Sequence, residues 1–170
     1  MFRRTKEPDG GRQSAPTSIL APGTPAPDFE LPVGPGERVS LRDFRGQPVV
    51  LVFYPADWSS VCGDQLSLYN EVLPLIKEYG AQPIGISVDG IWCHQAFSEK
   101  LNLQFPLLSD FEPKGAVARS YGAYDPEKGE NRRALFVIDE AGTIRWSYVS
   151  PSSVNPGVDG ILGALESLTI

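Results

Sequence analysis

The sequence predicts an α/β fold, a layered β-sheet with helices on both faces, and three observations predict it. Four runs rich in β-branched and aromatic residues fall at 49–54, 83–88, 134–139 and 143–149. Stretches with helical spacing lie between and after them, at 61–79, 91–101, 112–121 and 158–168. The last two strands flank Glu140-Ala141-Gly142, a loop of hairpin length, so the alternation closes with a hairpin and a helix.

Each element has its own reason. The run VVLVFY at 49–54 is apolar throughout, as a central strand covered on both faces must be. Leu66, Tyr69, Leu73 and Ile76 recur at helical spacing and Gly80 supplies a stop, while Pro74 inside that pattern predicts a kink or break. The chain has 170 residues and a mass of 18.5 kDa, about one domain. Residues 1–20 carry four basic and two acidic side chains, a net +2 that leaves −8 on the rest. With Pro8, Gly10, Gly11 and Pro16 this reads as a flexible leader, followed by a Pro-rich extended segment that opens the domain at 21–170.

Composition excludes several function classes. A formal charge of −6 and a pI near 4.8 argue against binding nucleic acid or an anionic membrane. The longest apolar run is six residues, far short of a membrane span. The first residues lack the apolar stretch of a secretory signal, so the expected compartment is the cytoplasm. One histidine, His94, and two cysteines, Cys62 and Cys93, cannot build a zinc site of several Cys and His ligands or a disulfide framework.

The chemistry concentrates where the first strong strand ends, in Phe53-Tyr54-Pro55-Ala56-Asp57-Trp58-Ser59-Ser60-Val61-Cys62-Gly63-Asp64-Gln65. Pro55 has no N–H and ends the ladder, and Ser59 or Ser60 is placed to cap the helix that follows. Cys62 then falls in the first turn of that helix, where free backbone N–H groups and the helix dipole favour a thiolate, the nucleophilic form. The Ser59 hydroxyl, three residues earlier, is within reach of the sulfur or of a bound substrate oxygen. On placement alone, an inert buried cysteine stays open as the competing reading.

This segment resembles the peroxiredoxins of the alkyl hydroperoxide reductase/thiol-specific antioxidant family. Their signature of Pro, three residues, Thr or Ser, two residues and the peroxidatic Cys stands here as Pro55, Ser59 and Cys62. Ile86-Ser87-Val88-Asp89 and the run FPLLSD at 105–110 resemble the family's middle, and Arg133-Ala134-Leu135-Phe136-Val137-Ile138-Asp139 resembles the strand with its active-site arginine. The resemblance spans about residues 22–165 and implies a thioredoxin-like fold, a central mixed β-sheet flanked by helices on both faces. It also implies thiol-dependent reduction of hydrogen peroxide or organic hydroperoxides through a sulfenic acid on Cys62. Arg133 would hold the thiolate and stabilise the leaving oxygen, Ser59 would complete the peroxide cradle and Pro55 would cover the sulfur, with Gln65 and Trp58 in support. Strand alternation sends only one of Arg132 and Arg133 towards Cys62; the family pattern selects Arg133, leaving Arg132 as a solvated charge. Ser59 lacks the methyl of the commoner Thr, so its rotamer is less firmly set.

No metal or organic cofactor is implied. The expected reductant is thioredoxin, a glutaredoxin-like protein or a low-molecular-weight thiol, and the family's habit implies a homodimer. Cys93, at the start of the helix at 91–101, has two readings: it resolves the sulfenic acid as an intrachain disulfide, or it is structural and an external thiol does so. A thioredoxin-type oxidoreductase would need a second cysteine where Gln65 stands, and a copper-binding module would need paired cysteines; a non-catalytic binding module predicts an unreactive Cys62. His94 is expected to cap or pack, Trp92, Phe97 and Trp146 to lie in the core or an interface, Trp58 to line the entrance or a dimer contact, and 125–130 to form a charged loop.

Overall fold

The computed structural model describes residues 18–169. A hairpin of β1 (Glu30–Gly34) and β2 (Glu37–Ser40) and a 3-10 turn at Leu41–Phe44 precede β3 (Val49–Phe53). Then come α1 (Ser60–Glu71), α2 (Leu73–Glu78), β4 (Gln82–Ser87), α3 (Ile91–Leu101) and β5 (Leu107–Ser109). The chain continues through α4 (Ala116–Ser120), β6 (Tyr124–Asp125), β7 (Glu130–Asn131), β8 (Arg133–Ile138), β9 (Ile144–Ser150) and α5 (Asp159–Ser167).

The main sheet has the order β5-β4-β3-β8-β9, with β3 at its centre. Parallel β4 runs along one side of β3, from Val49↔Gln82 to Phe53↔Ile86, and antiparallel β8 along the other, from Val49↔Ile138 to Phe53↔Ala134. The sheet is therefore mixed. Because side chains alternate along a strand, β3 divides the core into two layers. Val50, Val52 and Tyr54 pack with Leu66 and Tyr69 of α1, Ile76 of α2, Phe97 of α3 and Leu165 of α5. Val49, Leu51 and Phe53 pack with Ala118 of α4, Tyr121, Phe29 and Leu31. Each large apolar side chain buried this way contributes roughly 1.5–3 kcal/mol. Among the described residues, no helix is long and apolar enough to cross a membrane.

The break that Pro74 predicts inside 61–79 falls at Val72, where two helices part, and Pro74 lies in the first turn of α2, where its missing N–H costs nothing. Other expectations need correction. The helix expected at 112–121 starts only at Ala116, after Gly115 with φ +71°. The expected charged loop at 125–130 is framed by the paired strands β6 and β7. Ile19 and Leu20, assigned to the leader, pack against the Phe53 layer, and Leu20 N–H donates to Tyr121 O at 3.1 Å. Apolar side chains at that point override the flanking leader composition. The remainder of the expected leader, residues 1–17, lies outside the described residues.

Gly122 closes the end of α4 with φ +72°, the left-handed conformation that ends many helices. A Cβ there would press into the Ser18 carbonyl oxygen. Gly122→Ala is expected to lower stability by roughly 2–5 kcal/mol, combining left-handed strain with overpacking. Urea denaturation checks this, and an unchanged midpoint would contradict the packing described.

Candidate active site

The sheet register brings the cysteine and the arginine together. Arg133 opens β8, one step past the Phe53↔Ala134 pair, so it lies opposite the end of β3 where the loop to α1 begins. It alternates with Ala134 and so shares the side of Leu135 and Val137, the face that α1 covers. On α1, Ser59 holds the N-cap position and Cys62 is the third residue of the helix. Cys62 has no exposed surface and Arg133 is 1% exposed.

Burying a guanidinium is costly unless its donors are used, and here four of its five N–H groups are. Nη1 donates to Cys62 Sγ at 3.3 Å and to Gln65 Oε1 at 2.7 Å. Nε and Nη2 donate to Ser152 O at 3.2 and 2.6 Å. A turn presents that carbonyl: Ser150 Oγ donates to Val154 O at 2.7 Å and Val154 N–H to Pro151 O at 3.0 Å. Gln65 is fixed in turn, donating to the Tyr69 hydroxyl at 3.0 Å, which donates to Gly157 O at 2.9 Å. Burial pushes the Tyr69 hydroxyl up to about 12, so it remains a donor. Cys62, Gln65 and Tyr69 stand at helical spacing on one face of α1, a signal present in the sequence. The Ser152 and Gly157 carbonyls carry no such signal, because any residue type supplies one.

Pro55 is buried beside the end of β3, after Tyr54 N–H makes its bond to Ile86 O at 3.1 Å. Ser59 caps by backbone only, its carbonyl accepting from Gly63 N–H at 2.8 Å, while its side chain makes no cap hydrogen bond. Trp58 is 56% exposed, packs edge-on against Phe97 at 5.4 Å and holds φ +69°. A left-handed non-glycine residue costs about 1–3 kcal/mol and persists only where its surroundings over-determine it.

Of the two roles expected for His94, packing holds and capping does not: the N-cap of α3 is Gly90, and His94 is buried in a contact of 2.7 Å between its Nδ1 and Asp57 Oδ2. Arg132 is half-buried with its backbone N–H on Ala123 O at 2.7 Å, not freely solvated. Trp92 is 68% exposed, whereas Phe97 is in the core and Trp146 stacks on Tyr148 at 6.0 Å.

Cys93 lies in a different environment from Cys62. Its sulfur and carboxylate oxygens of Asp57 and Asp89 all lie within 4.8 Å of one another. Burial, followed by the charge and hydrogen bonding of Asp57 and the charge of Asp89, pushes the thiol up from 9.0 to about 11. Both cysteines are free thiols.

A cysteine in the first turn of a helix, with a buried arginine from the sheet face beneath that helix donating to its sulfur, is an arrangement suited to thiol chemistry. Residues 22–147 match the model of the AhpC/TSA family. A peroxiredoxin homologue of Entamoeba histolytica is 31% identical over 157 residues, covering 86% of this chain and 66% of that protein. Alkyl hydroperoxide reductase E of Mycobacterium tuberculosis is 35% identical over 130 residues, 76% of this chain and 85% of that one. The crystal structure of Enterococcus faecalis AhpC superposes with a TM-score of 0.79 at 28% identity, covering 87% of this chain and 92% of that one. The chain belongs to the AhpC/TSA family, with its thioredoxin-like fold. The class of its chemistry is thiol-dependent reduction of peroxides.

The raised Cys93 thiol carries a direct expectation. In a Cys62→Ser background, iodoacetamide should label Cys93 at pH 8 about 100-fold more slowly than an ordinary thiol, because only the thiolate reacts. Labelling should accelerate as pH rises towards 11. Labelling at the rate of an ordinary thiol would contradict the carboxylate environment.

Proposed function

We propose that Cys62 is the peroxidatic nucleophile and that Arg133, Ser59 and the first turn of α1 form the peroxide cradle. The observation that carries this reading is the Arg133 guanidinium, 1% exposed, with Nη1 3.3 Å from Cys62 Sγ. Among the described residues no carboxylate pairs with it within 4.0 Å. A buried cation with only neutral oxygens around it is best completed by an anion, and the sulfur is the group in place to carry that charge.

In the reaction, the Cys62 thiolate attacks one peroxide oxygen. An S–O bond forms, the O–O bond breaks, and the leaving oxygen takes a proton and departs as water or an alcohol. The sulfur is oxidised to a sulfenic acid and the peroxide is reduced by the same two electrons. Arg133 has one Nη2–H left for the developing negative charge, and the Ser59 hydroxyl, engaged in no cap bond, is available to the second oxygen. Pro55, buried beside the loop, limits water at the sulfur.

The sulfenic acid is then discharged by an external thiol. That thiol attacks Cys62 to give a mixed disulfide and water, and a second thiol releases Cys62. The raised Cys93 thiol favours this route over an intrachain disulfide, because exchange needs a thiolate. Thioredoxin, a glutaredoxin-like protein or a low-molecular-weight thiol fits the role, and the reducing cytoplasm suits the cycle. A homodimer completes the reading, with exposed Trp58 and Trp92 as apolar surface near the site.

Three variants test it by stopped-flow reaction with hydrogen peroxide, with folding checked by circular dichroism. Cys62→Ser should abolish the reaction. Arg133→Gln should slow it about 100- to 1000-fold, the loss typical of removing one donor from a preorganised anion site. Ser59→Thr should speed it a few-fold by stiffening the hydroxyl. Peroxide consumption by Cys62→Ser, or a folded Arg133→Gln at the wild-type rate, would overturn the assignment.

A further inference from the structure

A second polar cluster lies beside the peroxide site, and the chemistry above makes no use of it. Asp57, in the loop between Pro55 and Ser59, is 7% exposed. Its Oδ1 accepts from the Tyr54 hydroxyl at 2.6 Å, its Oδ2 lies 2.7 Å from His94 Nδ1, and its backbone N–H donates to Asp89 Oδ2 at 2.9 Å. Asp89 is braced by the Ser87 hydroxyl on its carboxylate and the Ser109 hydroxyl on its carbonyl. His94 is gripped at its far end as well, with Nε2 3.0 Å from Leu108 O on β5.

The proton count of this contact follows from its partners. A carbonyl only accepts, so His94 Nε2 carries a hydrogen. One further proton must then lie between Nδ1 and Oδ2, whichever atom owns it, because two bare acceptors would repel at that distance. Breaking the pair would leave a buried donor or charge without a partner. The loop ahead of the nucleophile is thus tied through Asp57 to the end of β3, to the β4–α3 connection and to α3, and through His94 to β5.

The same loop has little else to hold it in shape. Trp58, the next residue, is in the left-handed conformation, and the Ser59 side chain makes no cap hydrogen bond at the start of α1. Its other restraints include the burial of Pro55, the Cys93 thiol beside Asp57, the Trp58 ring against Phe97 and the Ser59 carbonyl in the first helical bond. We propose that Asp57 and His94 are positioning residues for peroxide reduction: their buried contact clamps the loop so that the Ser59 hydroxyl and the first turn of α1 are held in register with Cys62 Sγ and Arg133. The proposal rests on Cys62 being the peroxidatic residue. It assigns the pair no contact with the peroxide, so its effect is on the geometry of attack.

Geometry of attack separates this role from a merely structural one. Peroxide must be aligned by the cradle, whereas iodoacetamide needs only a reachable Cys62 thiolate. Asp57→Asn, His94→Gln and the double variant, each in a Cys93→Ser background, are measured for both reactions of Cys62 against Cys93→Ser alone. The expected result is a peroxide rate lowered about 10- to 100-fold in each single variant, with alkylation changed less than about threefold. The double variant should be no slower than the slower single, as for two residues acting as one unit. Unchanged peroxide rates, equal losses in both reactions, or losses that multiply in the double variant would each overturn the proposal.

Should these variants fail to fold, Tyr54→Phe removes one hydrogen bond from Asp57 and should slow only the peroxide reaction, by about 3- to 10-fold; an unchanged rate would overturn the clamp. A Cys93→Ser protein inert to peroxide would instead sink the Cys62 reading, so the two failures are distinguishable.

Discussion

The Arg133 guanidinium, buried against the Cys62 sulfur at 3.3 Å, is the contact on which the rest of the structure depends. A cation with 1% of its surface exposed stays charged in a core only if nearly every N–H has an acceptor. That demand explains the Ser150–Val154 turn, which presents the Ser152 carbonyl, and the Gln65–Tyr69–Gly157 chain, which fixes the amide oxygen opposite. These groups are neutral, so they satisfy the arginine's hydrogen bonding without cancelling its charge. The field left over falls on the cysteine.

The two thiols show how placement within one fold divides the labour. Cys62 is in the first turn of α1 facing a cation, whereas Cys93 is on α3 facing two carboxylates. The first environment suits a nucleophile, and the second holds the proton on the sulfur up to about pH 11. The loop between them is therefore more than a connector. Through Asp57 it is fastened to the α3 side, and through Ser59 it starts the helix that carries Cys62.

Much of this was legible in the sequence. The apolar runs of β3, β4, β8 and β9 announce themselves because buried strands need β-branched and aromatic side chains. Strand period says only that the neighbours Arg132 and Arg133 point to opposite faces; the family pattern is what points to Arg133, the one whose Nη1 lies 3.3 Å from Cys62 Sγ. The β1–β2 hairpin was hidden by its prolines, although Leu31, Val33 and Val39 around Gly34-Pro35-Gly36 carry a weak alternating signal. The Asp57–His94 contact was not legible. Its partners are 37 positions apart, and nothing local distinguishes a histidine that packs from one that bridges two elements. Of the two carboxylates around Cys93, Asp89 stands only four positions away in the β4–α3 connection, whereas Asp57 comes from a loop that only the tertiary fold brings to α3.

The central claim, that Cys62 alone meets peroxide and that Cys93 takes no part in resolving its sulfenic acid, is tested most directly by mass spectrometry of the wild-type chain. The protein is treated with one equivalent of hydrogen peroxide in the presence of a sulfenic-acid trap and mapped without reduction. The account predicts a single trapped adduct on Cys62, with Cys93 recovered as a free thiol. An adduct on Cys93, a Cys62–Cys93 disulfide in place of the trapped species, or a chain left unmodified would contradict it.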